Sequence, residues 1–316
     1  MTEPSGADLE VVVQRRTPVA DGIVELILGT PGGSLLPPWT PGAHIDVVLD
    51  TAVRQYSLCG DPADRLHYRI AVRREEDGRG GSRRIHDEIR TGDTVVIRGP
   101  RNHFALEPSP AYVFIAGGIG ITPLLPMLRQ AEAQGSEWRL YYGGRRSATM
   151  AYCDEVAAYG GRRVTVSTSA TAGRMDLDAA LRHASPDSIV YCCGPATLLE
   201  ASRVAAMERG MRCRTEHFAP KEIADAVDAP FTVRLESTGT SLTVPAERSL
   251  LDVLIDADAD VFSSCEEGTC GTCEVPVLEG VPDHRDSVLT PEEQAAGDRM
   301  MACVSRALSA TIVLDI

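Results

Sequence analysis

Three cysteines fall within nine residues in the stretch Cys265-Glu266-Glu267-Gly268-Thr269-Cys270-Gly271-Thr272-Cys273, and Cys303 follows further along. A C-x4-C-x2-C spacing with a distant fourth cysteine is the plant-type pattern for a [2Fe–2S] cluster, in which four thiolates hold two irons. Simple burial does not account for it, because the intervening residues are Glu, Gly and Thr rather than apolar. A disulfide knot needs an oxidising compartment, and the opening MTEPSGADLE has neither the basic start nor the apolar core of a secretory signal. Structural zinc sites usually pair two short knuckles, which this run lacks; zinc stays open as the alternative metal. Gly268 and Gly271 favour the cluster, since a loop wrapping sulfides must bring backbone N–H groups close to them. The remaining cysteines, Cys59, Cys153, Cys192, Cys193 and Cys213, are scattered.

A second run able to do chemistry is Gly117-Gly118-Ile119-Gly120-Ile121-Thr122-Pro123. It joins a strand-like run to a helical one, the place where open α/β sheets bind nucleotides. Thr122 is expected to cap the helix and Pro123 to open its first turn, leaving N–H groups aimed at an anion. The run departs from the dinucleotide fingerprint in two ways: Pro123 replaces the third glycine, and the second strand closes on Tyr142-Gly143-Gly144-Arg145-Arg146 rather than on an acid. Further on, Cys192-Cys193-Gly194-Pro195 ends another strand and opens a helix. Gly194 permits the close approach of a flat ring, and Cys193 is either at the mouth of the crevice or a small buried residue before a turn.

A third run, Arg54-Gln55-Tyr56-Ser57-Leu58, reads as a strand with Arg54 and Tyr56 on one face and Ser57 on the other. Gly78-Arg79-Gly80-Gly81-Ser82 precedes the helical RRIHDEI, so Ser82 is a candidate N-cap and the glycines a second anion cradle. An aromatic platform, an arginine and a phosphate cradle suit a phosphorylated planar ring. Flavin is the economical choice, because it links a two-electron nicotinamide donor to a one-electron cluster.

These residues must be positioned by several domains, and 316 residues suit two or three. Up to about Leu106 the chain is a series of short strand-like runs separated by turn clusters, which reads as an antiparallel barrel. From about Pro108 to Phe218 strands alternate with helices, which reads as a parallel sheet with helices on both faces. The expected domains are 1–107, 108–222 and 231–316, with a polar linker at 223–230. The last begins with a hairpin at FTVRLESTGTSLTVP, continues with helix SLLDVLIDADA and the cysteine loop, and ends on strand ATIVLDI.

The net charge of −14 leaves no basic surplus for nucleic acid. From Phe231 to Ile316 there are sixteen Asp and Glu against five Arg and no Lys, a net −11. Such an acidic module is either a solvated face or a surface steering towards a basic partner. The longest mostly apolar run, Tyr112 to Leu128, is broken by three glycines and two prolines, so no membrane span is expected. A cytoplasmic location follows. The seven histidines are dispersed, and nothing resembles an oxygen-activating 2-His-1-carboxylate site.

The order of these motifs resembles the phthalate dioxygenase reductase family, including vanillate demethylase reductases, over essentially the whole chain. The matching runs are RQYSL, IAVRR, GRGGS, PRNHFAL, GGIGITP, YCCGP, SSCEEGTCGTC, DHRD and CVSRA. The resemblance implies an FMN-binding β-barrel, a parallel-sheet α/β NADH-binding domain and a C-terminal plant-type ferredoxin domain of β-grasp fold. It implies that Arg54 binds the FMN phosphate, Tyr56 packs on the ring and Ser57 bonds near N5. Gln55, Ala71, Val72, Arg73, Gly80, Gly81 and Ser82 complete that site, and Phe218 of Glu216-His217-Phe218 packs on the flavin. Gly117, Gly118, Gly120, Thr122, Pro123, Gly194 and Pro195 form the nucleotide site, with Ser57, Thr122 and Cys193 nearest the reacting rings. Cys265, Cys270, Cys273 and Cys303 hold the [2Fe–2S] cluster. Electrons then run from NADH through FMN and the cluster to a separate terminal oxygenase docking on the acidic domain. By resemblance this is a Rieske-type aromatic-ring oxygenase or O-demethylase, with a cytochrome P450 as runner-up. NADPH in place of NADH, and a redox-sensing module without turnover, are the alternatives.

Overall fold

The protein is described by a computed structural model covering residues 8–50, 52–76, 78, 80–221 and 228–316. Arg79 and positions 223–227 of the expected linker lie outside the described residues. The chain separates into two compact units, Met1–Glu216 and His217–Ile316.

The first unit opens with strands β1 (Leu9–Ala20), β2 (Ile23–Gly29), β3 (His44–Leu49), β4 (Ala52–Ser57) and β5 (Tyr68–Arg73), helix α1 (Gly81–Asp87) and strand β6 (Thr94–Arg101). They form one antiparallel sheet in the order β4-β3-β6-β1-β2-β5. Its end strands β4 and β5 lie near each other, but no ladder among the described residues joins them, so the expected barrel is a curved sheet without hydrogen-bonded closure. Val11, Val13, Leu26, Leu28, Ile45, Val47, Ile70 and Val72 alternate along these strands and fill its interior.

The unit continues with β7 (Ala111–Gly117), α2 (Leu124–Ala133), β8 (Glu137–Gly144), α3 (Cys153–Ala157), β9 (Val164–Thr168), α4 (Ser169–Ala172), α5 (Leu177–Leu181), β10 (Ile189–Cys193), α6 (Ala196–Met207) and β11 (Arg212–Glu216). All five strands are parallel, in the order β11-β10-β7-β8-β9. The order reverses between β7 and β10, so the ends of these two strands make the crevice expected of a doubly wound sheet. Strand β11 carries no apolar run, Arg212 being exposed and the other four residues half-buried, and sequence patterning does not reveal it. Helix α3 is far shorter than the run MAYCDEVAAY suggests, because Tyr152 takes a left-handed backbone (φ 62°) immediately before it.

One core joins the two sheets: Ile23, Cys59, Ala71 and Phe104 pack with Phe114, Leu124, Tyr142, Tyr152 and Tyr191. Arg69 on β5 pairs with Glu25 of the neighbouring β2 at 2.6 Å and, across the same boundary, with Glu155 of α3 at 2.8 Å. Tyr152 donates to Glu25 at 3.2 Å while its ring lies 4.3 Å beneath the Arg69 guanidinium. Arg129 also pairs with Glu155. Buried charges of this kind are tolerated because each has an opposite partner and a hydrogen bond.

The second unit contains β12 (Phe231–Leu235), β13 (Ser241–Val244), α7 (Leu250–Asp256), β14 (Glu274–Glu279), β15 (Pro282–Asp283), α8 (Pro291–Ala296), β16 (Arg299–Met301), β17 (Arg306–Ala307) and β18 (Thr311–Leu314). Its mixed sheet runs β13-β12-β18-β14-β16, with β12 and β18 parallel and α7 packed through Leu250, Leu251, Val253 and Leu254. This is the β-grasp layout. Helix α7 starts at a capping box in which Ser249 accepts from the Asp252 N–H and Asp252 reaches back to the Ser249 N–H.

Candidate functional site

Cys265, Cys270, Cys273 and Cys303 are all buried, the first three in a loop of mostly polar residues and Cys303 between Ala302 and Val304. Glu266, Gly268 and Gly271 take left-handed backbone conformations (φ 56°, 70° and 74°), so the loop doubles back around the thiols. A Cβ on Gly268 would meet Val304 at 2.6 Å, so the loop lies tight against the segment after Cys303. The backbone N–H groups of Glu267 and Thr272 donate to the sulfurs of Cys265 and Cys270, both at 3.3 Å. Cys265 lies within hydrogen-bonding reach of Cys270 and Cys303, and Cys273 of Cys303. Ser287 fastens the loop from outside, donating its N–H and hydroxyl to the Gly268 carbonyl. Four converging thiols with N–H donors on their sulfurs fit a thiolate-held cluster. Among the described residues no three His, Cys, Asp or Glu side chains converge as a single-ion site. The assignment therefore rests on spacing, burial and the domain match given below.

In the parallel sheet, the expected helix cap is displaced. Gly118–Ile121 form a 3-10 turn, Thr122 closes it by donating its hydroxyl to the Ile119 carbonyl at 3.0 Å, and the cap of α2 falls on Pro123. Thr122 is buried, with its hydroxyl spent within the loop. The glycines answer to close approach. A Cβ at Gly120 would sit 2.2 Å from the Cys193 carbonyl oxygen, and one at Gly194 only 2.9 Å from the Gly117 Cα. The ends of β7 and β10 therefore touch through bare backbone. Beside them a cleft of about 800 Å³ is lined by Gly117, Gly118, Gly143, Gly144, Pro195 and Leu198 among others.

Cys193 is not at the mouth of the crevice. Its side chain has no solvent exposure, and its thiol donates to a Glu216 carboxylate oxygen at 3.8 Å. Glu216, at the end of the unforeseen strand β11, also hydrogen-bonds Ser57, which is itself buried at the end of β4. Burial pushes the Glu216 carboxyl up to about 8, only partly opposed by its bonds to Cys193 and Ser57. Burial likewise raises the Cys193 thiol well above its usual range, with the nearby Glu216 adding to the effect. Both groups hold their protons at neutral pH. Three residues from β4, β10 and β11 thus form one hydrogen-bonded chain, in which Ser57 and Cys193 have roles expected from the sequence and Glu216 only a place in Glu216-His217-Phe218.

Of the residues expected around a flavin, Arg54 lies over the start of α1, where a Cβ on Gly81 would meet its Cγ at 2.6 Å. Its guanidinium donates to the Val53 carbonyl, and no carboxylate among the described residues pairs with it. Gly80, left-handed at φ 88°, is the N-cap of α1; Ser82 is not, because its hydroxyl instead accepts the Glu75 N–H at 3.0 Å. Tyr56 packs on the sheet core, and burial raises its hydroxyl above the usual range. Gln55 donates to Asp46 at 3.3 Å. Ala71 and Val72 turn their side chains into the cores, so only their backbone is free to face a ligand. Arg73 pairs with Glu75 at 2.6 Å and lines the cleft. An arginine without a carboxylate partner over a glycine cradle fits a phosphate. Phe218 lies in the second unit and is 45% exposed.

A glycine-lined nucleotide crevice and a buried set of four cysteines, three on one loop and Cys303 after β16, define a pyridine-nucleotide-dependent iron–sulfur oxidoreductase. Residues 114–203 match the oxidoreductase NAD-binding domain model and residues 233–308 the 2Fe-2S iron-sulfur cluster binding domain model. The chain is 42% identical over 300 residues to the phenoxybenzoate dioxygenase subunit beta of Ectopseudomonas oleovorans, covering 94% of each. It is 38% identical over 315 residues to the phthalate dioxygenase reductase of Burkholderia cepacia, covering 98% of this chain and 97% of that one. An intact type IV self-sufficient cytochrome P450 monooxygenase is 41% identical with a TM-score of 0.89; the match spans 98% of this chain but 41% of that longer one. The chain belongs to the phthalate dioxygenase reductase family, which pairs FMN, NADH and a [2Fe–2S] cluster. No helix among the described residues is long and apolar enough to cross a membrane.

Proposed function

We propose that this chain is the reductase component of an oxygenase system, taking electrons from NADH and delivering them to a separate terminal oxygenase of the Rieske type. The reading is carried by the pairing, in one chain, of the glycine-lined cleft with the buried set of four cysteines. When bound, FMN supplies the conversion between paired and single electrons, and the cluster carries single electrons. Arg54 and the backbone at Gly80, Gly81 and Ser82 would hold the FMN phosphate, and Tyr56 and Ser57 would lie beside its ring. Gly117, Gly118, Gly120, Gly194 and Pro195 let the nicotinamide approach without side-chain obstruction. Thr122, locked to Ile119, keeps that loop in one shape, and Pro123 sets the start of α2. Glu216 retains its proton, so the Ser57–Glu216–Cys193 chain carries no buried anion and orients Ser57 as a neutral hydrogen-bonding group.

The acidic second unit suits a partner with a basic face, and charge of one sign raises the rate of encounter. A cytochrome P450 is the second reading of the partner, favoured by the match to a self-sufficient P450.

Anaerobic stopped-flow spectroscopy of the holoprotein mixed with NADH tests the route. Flavin bleaching followed by iron–sulfur bleaching is expected, and in Cys273→Ser only the first. An iron–sulfur signal that stays oxidised while the flavin of the wild-type chain is reduced would sink the proposal. Absence of NADH oxidation with an artificial acceptor would point to a sensing module instead.

A further inference from the structure

The run Asp283-His284-Arg285-Asp286-Ser287 has no part in the electron route, yet it joins the two separate pieces of chain that carry the cysteines. At one end β15 pairs with β17, Asp283 lying opposite Arg306, just after Cys303. Beside that pair the Arg285 N–H donates to the Ser305 hydroxyl at 3.2 Å. At the other end Ser287 donates twice to one acceptor: its N–H at 2.9 Å and its hydroxyl at 3.2 Å both reach the Gly268 carbonyl, between Cys265 and Cys270. The run is itself held firmly. Oδ2 of the buried Asp286 accepts the N–H groups of Val288 and Leu289 at 3.0 and 2.8 Å, and the Arg285 guanidinium is fixed by Asp283 at 2.7 Å and Asp228 at 2.6 Å.

The double bond to one carbonyl has a directional consequence. A peptide unit is planar and trans, so its carbonyl and its N–H point opposite ways. Ser287 holds the carbonyl of the Gly268–Thr269 peptide out of the loop, which turns the Thr269 N–H inward, into the loop that encloses the thiols. The Thr269 side chain also serves that interior, hydrogen-bonding the Cys265 sulfur. Gly268 is left-handed at φ 70°, and a Cβ there would meet the Asp286 Cα at 3.2 Å, so this peptide is seated closely against the run that holds it. The N–H groups of Glu267 and Thr272 already donate to the sulfurs of Cys265 and Cys270. An inward Thr269 N–H adds a third donor, and donors around the sulfurs favour the more negative, reduced cluster and so raise its potential.

We propose that Ser287 helps set the reduction potential of the cluster. It is a positioning residue, acting through the Gly268–Thr269 peptide: its two bonds to the Gly268 carbonyl keep the Thr269 N–H directed at the sulfur cage. The proposal rests on the assignment of Cys265, Cys270, Cys273 and Cys303 to a [2Fe–2S] cluster.

The test is spectroelectrochemical titration of the holoprotein and of its Ser287→Ala and Ser287→Thr variants, with the EPR spectrum of the reduced cluster recorded for each. Ser287→Ala keeps the N–H bond and drops the hydroxyl bond. Its cluster should be about fivefold harder to reduce, which at about 59 mV per tenfold for one electron is a fall of about 40 mV. Ser287→Thr restores the hydroxyl and should return the wild-type potential, and the rate of flavin bleaching by NADH should be the same in all three. An unchanged potential in Ser287→Ala, or an equal shift in both variants, overturns the proposal alone. A Ser287→Ala chain that folds but cannot hold the cluster makes the residue a brace and overturns the tuning role as well. If the wild-type chain gives no [2Fe–2S] signal after reduction with dithionite, the cluster assignment itself fails, and the proposal with it.

Discussion

The buried Glu216 carboxyl makes the stability of the first unit depend on pH in a way that one substitution should remove. Its ordinary value is 4.5 and burial raises it to about 8. Below 4.5 the group is protonated in folded and unfolded chains alike and has no effect on stability. Between 4.5 and about 8 the unfolded chain releases the proton and the folded chain keeps it, so stability falls as pH rises and levels off above the folded value. At about 1.4 kcal/mol per pH unit the full window amounts to about 5 kcal/mol, of which about 3 kcal/mol falls between pH 6 and 9. Glu216→Gln keeps the shape and a hydrogen-bonding head but cannot ionise. Trp39 and Trp138, the chain's two tryptophans, are buried in the first unit and report its unfolding. Denaturant titrations of their fluorescence across this pH range should show the wild-type curve falling relative to Glu216→Gln by about 3 kcal/mol. Parallel curves would mean that the carboxyl is ionised in the folded chain, and the neutral Ser57–Glu216–Cys193 chain would be wrong.

Gly120→Ala places a methyl 2.2 Å from the Cys193 carbonyl oxygen, so β7 and β10 must part. A loss of about 1–3 kcal/mol in first-unit stability, together with weaker NADH binding, is expected from overpacking, and denaturation and nucleotide titration check it. Ser249→Ala removes the capping box of α7 and should lower the second unit's unfolding free energy by about 1 kcal/mol, as read by circular dichroism.

What the sequence made legible was local. The cysteine spacing named the cluster loop, and the run SLLDVLIDADA read as the helix that α7 forms over Leu250–Asp256. The alternation of strand and helix announced the parallel sheet. Competition between nearby partners was not legible: Ser82 looks like a cap, yet the Glu75 N–H claims its hydroxyl and Gly80 takes the cap position. Thr122 was likewise drawn into a 3-10 turn that no propensity distinguishes from a longer helix. Glu216 entered only as the first residue of Glu216-His217-Phe218, and its packing was not legible for a different reason. Its environment is assembled from Ser57 and Cys193, more than twenty residues away on either strand, and its own strand has no apolar alternation to show where it packs. Burial that depends on three distant segments has no local signature.

The ion network of Glu25, Arg69, Glu155 and Arg129, with Tyr152 stacked under it, welds the antiparallel sheet to the parallel one. Arg69 is the shared member, so its loss would leave the 8%-exposed Glu25 carboxylate without its 2.6 Å partner and cost more than loss of Arg129, which leaves Glu155 paired with Arg69. The spacing between the arginine-and-glycine cradle and the nucleotide crevice is therefore set by a rigid scaffold within a single unit.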